Sequence, residues 1–289
     1  MTAVPDLLAS RLARRQWALT VEVVTPAPGD EAARARILSL ADALRAEDRV
    51  AALTLTDRTA SLEADPIALA REVAARSAKA PLVHLAGKGR DAANLADALR
   101  RAEASGVTSL LLTGGDPAPG GRLDATSMLL AARERASALT RLAVIAPRRG
   151  RGGETRANVR AKRDAGASAF IAQLTWDLAE REAITSLQDE SGPVLGAVML
   201  LTRARLEFLA AHRIAGIDVP TDLRRRVAGE PPEAARRRLA FELVALRRLG
   251  YAGAHLCGLL TPALVIAVLD ETDRLDGTLG QDWRTSPGS

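Results

Sequence analysis

The chain has 289 residues, 47% of them hydrophobic, which supplies a sizeable core and excludes a disordered chain. Its net charge is +5, but 35 acidic residues are interspersed among 40 basic ones and aromatics make up only 2%. A nucleic-acid role therefore has neither a strong charge imbalance nor a stacking surface behind it. A single cysteine excludes an internal disulfide framework, and three histidines far apart in the sequence argue against a structural zinc site. No apolar run suits a signal peptide or a membrane span, so a soluble cytoplasmic protein without nucleic acid, membrane or metal partners is expected.

The first predicted strand is Ala18–Val24, followed by a helix over Glu31–Ala46 that Asp30 opens. Ala51–Thr56 is the second strand, and Asp65 with Pro66 gives the next helix an N-cap and a proline at its first position. The third strand, Pro81–Leu85, leads to a helix from Asp91 to Ser105, and the fourth, Ser109–Thr113, to one from Asp124 through Ala138. Leu142–Ala146 and Ala169–Gln173 are the fifth and sixth strands, with Thr155 and Asp177 capping the helices after them. After the seventh strand, Val194–Met199, Thr202 starts a short helix and Arg213–Glu230 reads as an insertion. A long helix over Glu233–Leu249 ends at Gly250, and Gly253–Leu256 is the eighth strand. Short apolar runs alternating with helical segments predict βα units, and eight of them predict an α/β protein with a (β/α)8 TIM barrel. A doubly wound open sheet is the competing arrangement. The barrel is expected to fill residues 1–276 as one domain, with 277–289 as a loose tail.

In such a barrel the functional groups gather at the C-terminal ends of the strands. Glu22 stands in Val21-Glu22-Val23-Val24, where a carboxylate is costly to bury; burial is expected to raise its pKa and make it a general acid. An ion pair to a buried arginine is the structural alternative. Gly114-Gly115-Asp116 allows close backbone approach and offers an acceptor for a heterocycle's N–H groups, or else a turn before a helix. Gln173 offers a donor and an acceptor for a pterin-like amide edge. Gly87 to Ala92 fits a loose G-x-G-x-x-A nucleotide pattern, but Asp116 comes somewhat late for the acidic residue that pattern needs, and a phosphate at the helix N-terminus is the remaining option. The run from Arg148 to Gly153 suits phosphates or a polyglutamate tail, or is a solvated loop. His255 and Cys257 share a face of the eighth strand and read as barrel-lining side chains rather than a nucleophilic pair.

In this order the strand-end residues resemble the methylenetetrahydrofolate reductase family, from about Leu19 to Asp270. Val21-Glu22-Val23-Val24-Thr25-Pro26 resembles the family's F-E-F-F-P-P, and Leu53-Thr54-Leu55-Thr56 its V-S-V-T strand. His84-Leu85 resembles H-L-T, and Gly115-Asp116-Pro117 resembles R-G-D-P. The run from Asn158 to Ala167, with Lys162 inside it, then Phe170-Ile171-Ala172-Gln173 and Asp177, resembles N-L-K-R-K-x-D-A-G-A…I-T-Q…F-D. Ile217-Asp218-Val219-Pro220 resembles I-x-I-P, and Gly253-Ala254-His255-Leu256 resembles the family's last strand.

The resemblance implies reduction of 5,10-methylenetetrahydrofolate to 5-methyltetrahydrofolate with NADH or NADPH, in one-carbon metabolism and methionine biosynthesis. It implies catalytic roles for Glu22 and Asp116 and folate contacts from Gln173, Asp116 and Thr56. It also implies that Thr56, His84, Gly114, Gly115, Asp116 and Lys162 surround the cofactor. FAD is the family's cofactor, but its contacts are largely altered here. The arginine before G-D is Gly114, the second-strand tyrosine is Asp57, and the flavin-embracing A-A-Y-P…H-P-E segment becomes Ala146-Pro147 and the arginine–glycine run. The family's Y-T-L-N-R becomes Cys257-Gly258-Leu259-Leu260-Thr261. Folate chemistry with FAD altered or absent is therefore expected, with tetrahydrofolate as the small-molecule partner and homo-oligomer formation left open. A catalytically idle barrel acting as an accessory subunit is the main alternative, and a nicotinamide enzyme using the Gly87–Ala92 loop is another.

Overall fold

The computed structural model describes residues 4–57, 61, 63–114, 123–146, 156–212, 217–258 and 261–278. The chain opens with α1 (Leu7–Ala13), β1 (Ala18–Val23), α2 (Glu31–Ala43), β2 (Val50–Leu55), α3 (Pro66–Ser77), β3 (Leu82–Ala86), α4 (Ala92–Ala104) and β4 (Ser109–Thr113). It continues with α5 (Ala125–Arg135), β5 (Thr140–Ile145), α6 (Arg156–Asp164), β6 (Ala169–Ala172), α7 (Leu178–Thr185), α8 (Gln188–Ser191) and β7 (Val194–Met199). Then come α9 (Arg203–His212), α10 (Thr221–Ala228), α11 (Pro232–Arg248), β8 (Gly253–Cys257) and α12 (Pro262–Thr278).

The eight strands pair in parallel and in sequence order, and β8 closes on β1. The chain is a TIM barrel, and its strands match the expected ones to within two residues at either end. The helix starts follow from aspartate caps. Asp30, Asp65, Asp91, Asp124 and Asp177 each accept hydrogen bonds from backbone N–H groups in the first turn, which have no partner inside the helix. Two helices end about a turn earlier than the periodicity suggests. Leu44 closes α2 on the carbonyls of Leu40 and Asp42, and Ala136 closes α5 on Ala132. The expected cap Thr155 and the arginine–glycine run lie outside the described residues, as does 279–289; residues 277–278 of the expected loose tail complete α12.

Among the described residues the core consists of two large hydrophobic clusters and a small third one around Phe241 and Leu275. The larger lies between the sheet and the helix layer, with Leu53, Leu85, Leu110, Phe170 and Leu243 among its members. The second fills the barrel with Ala18, Leu82, Leu111, Leu142, Ala169 and Leu195, and small side chains on neighbouring strands leave room for the leucines. α1, which the sequence reading did not anticipate, inserts Leu8 and Leu12 into this second cluster and plugs the N-terminal end. Asp6 fixes the plug: one carboxylate oxygen accepts from Ala9 N at 2.8 Å and the other from the Ser109 hydroxyl at 2.7 Å. At the other end the expected insertion carries α10, whose Leu223 and Val227 join the same cluster with Leu201 and Leu209.

Closure of the barrel depends on Gly253. A Cβ there would stand 1.9 Å from Ala18 O and 2.8 Å from Ala18 C, both backbone atoms that cannot swing aside. Gly253→Ala is therefore expected to part β8 from β1 and to cost on the order of 3 kcal/mol or more. Gly277→Ala, in open space on α12, should be neutral or stabilising by up to about 1 kcal/mol. Urea unfolding of the two variants beside the parent checks this, and equal midpoints would remove the closure argument.

Candidate functional site

Alternate residues of a strand face one side of the sheet, so the register of β1 against β8 decides what meets inside the barrel. Thr20 is the partner of His255 across that seam. The Thr20 hydroxyl lies 2.8 Å from His255 Nδ1, and His255 Nε2 lies 3.2 Å from a Glu22 carboxylate oxygen. An ionised carboxylate only accepts, so Nε2 carries the hydrogen of that bond. Nδ1 then accepts the Thr20 proton when the imidazole is neutral and donates to the hydroxyl when it is charged. Thr20 and His255 are buried, whereas the Glu22 side chain keeps 22% exposure near the C-terminal end of β1. The three residues form a hydrogen-bonded line from the barrel interior to its mouth. From β3, His84 brings a second imidazole whose ring centre is 6.1 Å from that of His255.

The charges in this mouth do not behave as expected. Burial pushes the Glu22 carboxyl upward, but the hydrogen bond from His255 and the fields of His255, His84 and Arg205 outweigh it, and the net direction is down. Glu22 thus rests as a carboxylate, not as the burial-raised acid that its strand context suggested. Burial pushes His84 down to about 4, so this imidazole is neutral at neutral pH, and its Nε2 is buried with no hydrogen-bond partner among the described residues. Burial raises the Cys257 thiol well above its ordinary range, and its Sγ faces the His255 backbone carbonyl at 3.7 Å rather than the imidazole. Cys257 is a lining residue, in line with its expected part. Donor atoms of Glu22, His84 and His255 lie within 4.8 Å of one another, close enough to share a cation. Histidines distant in sequence therefore do converge in space. Two of those donors already bond each other and Arg205 adds positive charge beside them, so the set is better suited to handling a proton than to caging a metal ion.

The other expected site residues are differently employed. Thr56 is buried, and its hydroxyl accepts from Thr25 N at 3.2 Å, tying the ends of β1 and β2 together. Lys162 Nζ donates to Val144 O at 2.8 Å, so its ammonium is attached to β5. Gln173 follows β6 half-buried, with its N–H on Ile145 O at 2.8 Å. Gly114 follows β4, while Gly115 and Asp116 lie outside the described residues. The Gly87–Ala92 loop has a structural explanation. A Cβ on Gly87 would stand 2.0 Å from Leu123 O, and Arg90 turns inward to pair with Asp57 at 2.8 Å. Asp57 Oδ2 also accepts from Ala86 N, so the ends of β2 and β3 are closed by a buried ion pair where the resemblance would place a flavin contact.

No protein-family model and no curated protein sequence matches the chain. Solved structures match its fold. An uncharacterised Clostridium thermocellum protein that binds two copies of 5-methyl-5,6,7,8-tetrahydrofolic acid superimposes with a TM-score of 0.70 at 13% identity, over 94% of this chain and 100% of that one. 2,3-Dimethylmalate lyase, of the PEP mutase/isocitrate lyase superfamily, gives 0.55 at 15% identity over 99% and 93%. Tryptophan synthase from M. tuberculosis gives 0.54 at 16% identity over 95% and 94%. Identities this low establish the shared barrel. No helix among the described residues is long and apolar enough to cross a membrane.

The lowered pKa of the half-buried His84 is expected to make the barrel acid-sensitive. With a folded pKa of about 4 against an ordinary 6.5, the unfolded chain takes up the proton first as pH falls, so stability present above 6.5 is lost between 6.5 and 4. Between pH 7 and pH 5 this amounts to about 2 kcal/mol, and His84→Gln should lose that much less over the same interval. Urea unfolding at both pH values measures it; parallel losses in parent and variant would show that His84 does not carry the effect.

Proposed function

We propose that the chain is a flavin-independent reductase that converts 5,10-methylenetetrahydrofolate to 5-methyltetrahydrofolate with NADH or NADPH. The observation that carries this reading is the Thr20–His255–Glu22 line, which ends in a partly exposed carboxylate at the C-terminal mouth of the barrel. The fold neighbour from Clostridium thermocellum supports it, because the ligand of that protein is the product of the proposed reaction.

The chemistry requires a proton on N10 of the folate, which breaks the bond from N10 to the bridging carbon and leaves an iminium at N5. A hydride then adds to that carbon, and the nicotinamide leaves oxidised. Because Glu22 rests ionised it needs a proton donor, and His255, hydrogen-bonded to Thr20 through Nδ1, is assigned that part. His255 passes the Nε2 proton across the 3.2 Å bond, and Glu22 delivers it to N10. His84, neutral and with a free buried nitrogen, offers one further hydrogen-bonding atom toward the occupant of the mouth. Gln173 is assigned to the pterin edge, and the folate role that the resemblance implies for Asp116 is part of the same proposal.

Three features of the described residues support the reading without FAD. Lys162 is bound to Val144, Gly114 replaces an arginine, and the Asp57–Arg90 pair closes the wall between β2 and β3. The hydride is accordingly assigned to direct transfer from the nicotinamide nucleotide.

An anaerobic assay of NADH and NADPH oxidation with methylenetetrahydrofolate, with and without added FAD, tests the proposal. Turnover without FAD is expected, with Glu22→Gln reducing it by about 100-fold or more while the variant stays folded. Turnover that requires FAD would overturn the flavin-independent part. Absence of turnover in both conditions would favour an accessory subunit instead.

A further inference from the structure

The cationic group that the proposed chemistry leaves unused is Arg205. It sits in the first turns of α9, directly after β7, and is half-buried. Other inward-turned arginines have carboxylate partners: Arg90 on Asp57, Arg181 on Glu242 and Arg238 on Glu230, each at 2.8 Å. Among the described residues no oxygen hydrogen-bonds the Arg205 guanidinium, whose neighbour is the Phe208 ring at 5.3 Å. Partial burial of a guanidinium that makes no hydrogen bond to an oxygen is unfavourable, and the contact with the Phe208 ring offsets only part of that cost.

The surroundings favour a ligand. Phe208 is 41% exposed and offers an apolar face beside the charge. Gly258, directly after β8, lies beside the guanidinium, since a Cβ there would stand 3.7 Å from Arg205 Nη2. Loops after the seventh and eighth strands are where (β/α)8 barrels commonly hold anions. Glu22 and Cys257 both feel the charge of Arg205, while burial opposes that charge.

We propose that Arg205 is the docking point for an anionic group, a carboxylate or a phosphate, on the molecule that fills the barrel mouth. The identity of that molecule rests on the folate-reductase reading, whereas the anion site rests on Arg205 itself. A planar guanidinium fork suits either group, and the two sources are the glutamate carboxylates of the folate and the phosphates of the nicotinamide nucleotide. An anion placed there also neutralises one of the charges that hold Glu22 ionised. Ligand arrival would thereby favour the protonated carboxyl that the reaction needs.

Isothermal titration calorimetry of the full chain, with Arg205→Gln and Arg205→Lys beside the parent, tests this. The probes are 5-methyltetrahydrofolate, its analogue lacking glutamate, NADH, NADPH and inorganic pyrophosphate. Arg205→Gln should weaken the anionic probe that the site takes by about tenfold or more, with circular dichroism and melting unchanged. Arg205→Lys, which keeps the charge without the fork, should fall between. Loss confined to 5-methyltetrahydrofolate, with the analogue unaffected, assigns the carboxylate; loss confined to NADH, NADPH and pyrophosphate assigns phosphate. Equal affinities of parent and both variants for every probe, or no binding of any probe to the parent, overturn the anion site. Sensitivity to pyrophosphate or nucleotide without folate binding retains the site and overturns the folate reading.

Discussion

The contact between Gly253 and the backbone of Ala18 is the constraint on which the arrangement at the mouth depends. Only a residue without a Cβ lets β8 approach β1 this closely. With the seam closed in that register, His255 falls opposite Thr20, and the next inward position on β1 is Glu22. A shift of one residue would turn His255 toward the helix layer and separate both hydrogen bonds. The site is therefore a product of strand register more than of any loop.

A second set of interactions holds the neighbouring stretch of wall, next to β7. Arg238 donates to Leu201 O at 2.8 Å, just beyond β7, and pairs with Glu230 at the same distance. Glu242 joins this group, reaching Arg181 at 2.8 Å and Arg238 at 3.7 Å. Breaking one member of a buried charge network commonly costs several kcal/mol because its partner is left stranded. The network anchors the chain immediately before α9, so it sets the direction from which Arg205 enters the cavity. The His255 hydrogen bond from β8 and the Arg205 charge from α9 reach Glu22 from different elements, and the net effect on its carboxyl is downward despite burial.

The fold was legible because its signals are local. Strand runs such as Ser109–Thr113 and aspartate caps such as Asp91 and Asp124 need only their neighbours in sequence to be recognised. α1 was missed because its significance lies in plugging a barrel that begins only after it. Glu22 was legible as an unusual residue, but the direction of its pKa was not, since that depends on His255, 233 positions away, and on His84 and Arg205. Lys162 was read as a cofactor contact from its place in a resembling run, and its attachment to Val144 becomes visible only with β5 and α6 packed together. Arg205 carried no signal, since an arginine in the first turn of a helix is ordinary until its partners are counted.

The distance along the chain between the two halves of the site has a kinetic consequence. Thr20 and His255 are 235 positions apart, so their bond forms only when nearly the whole chain has been threaded into the ring. Contacts of such long sequence separation form late and slow the search, because the intervening loop must be closed first. A nascent chain lacking β8 would hold Glu22 on an uncovered strand edge with no imidazole beside it, and would be prone to unwanted pairing there. The Thr20–His255–Glu22 line therefore arrives with the final strand, and partly assembled barrels, however much helix they contain, lack it.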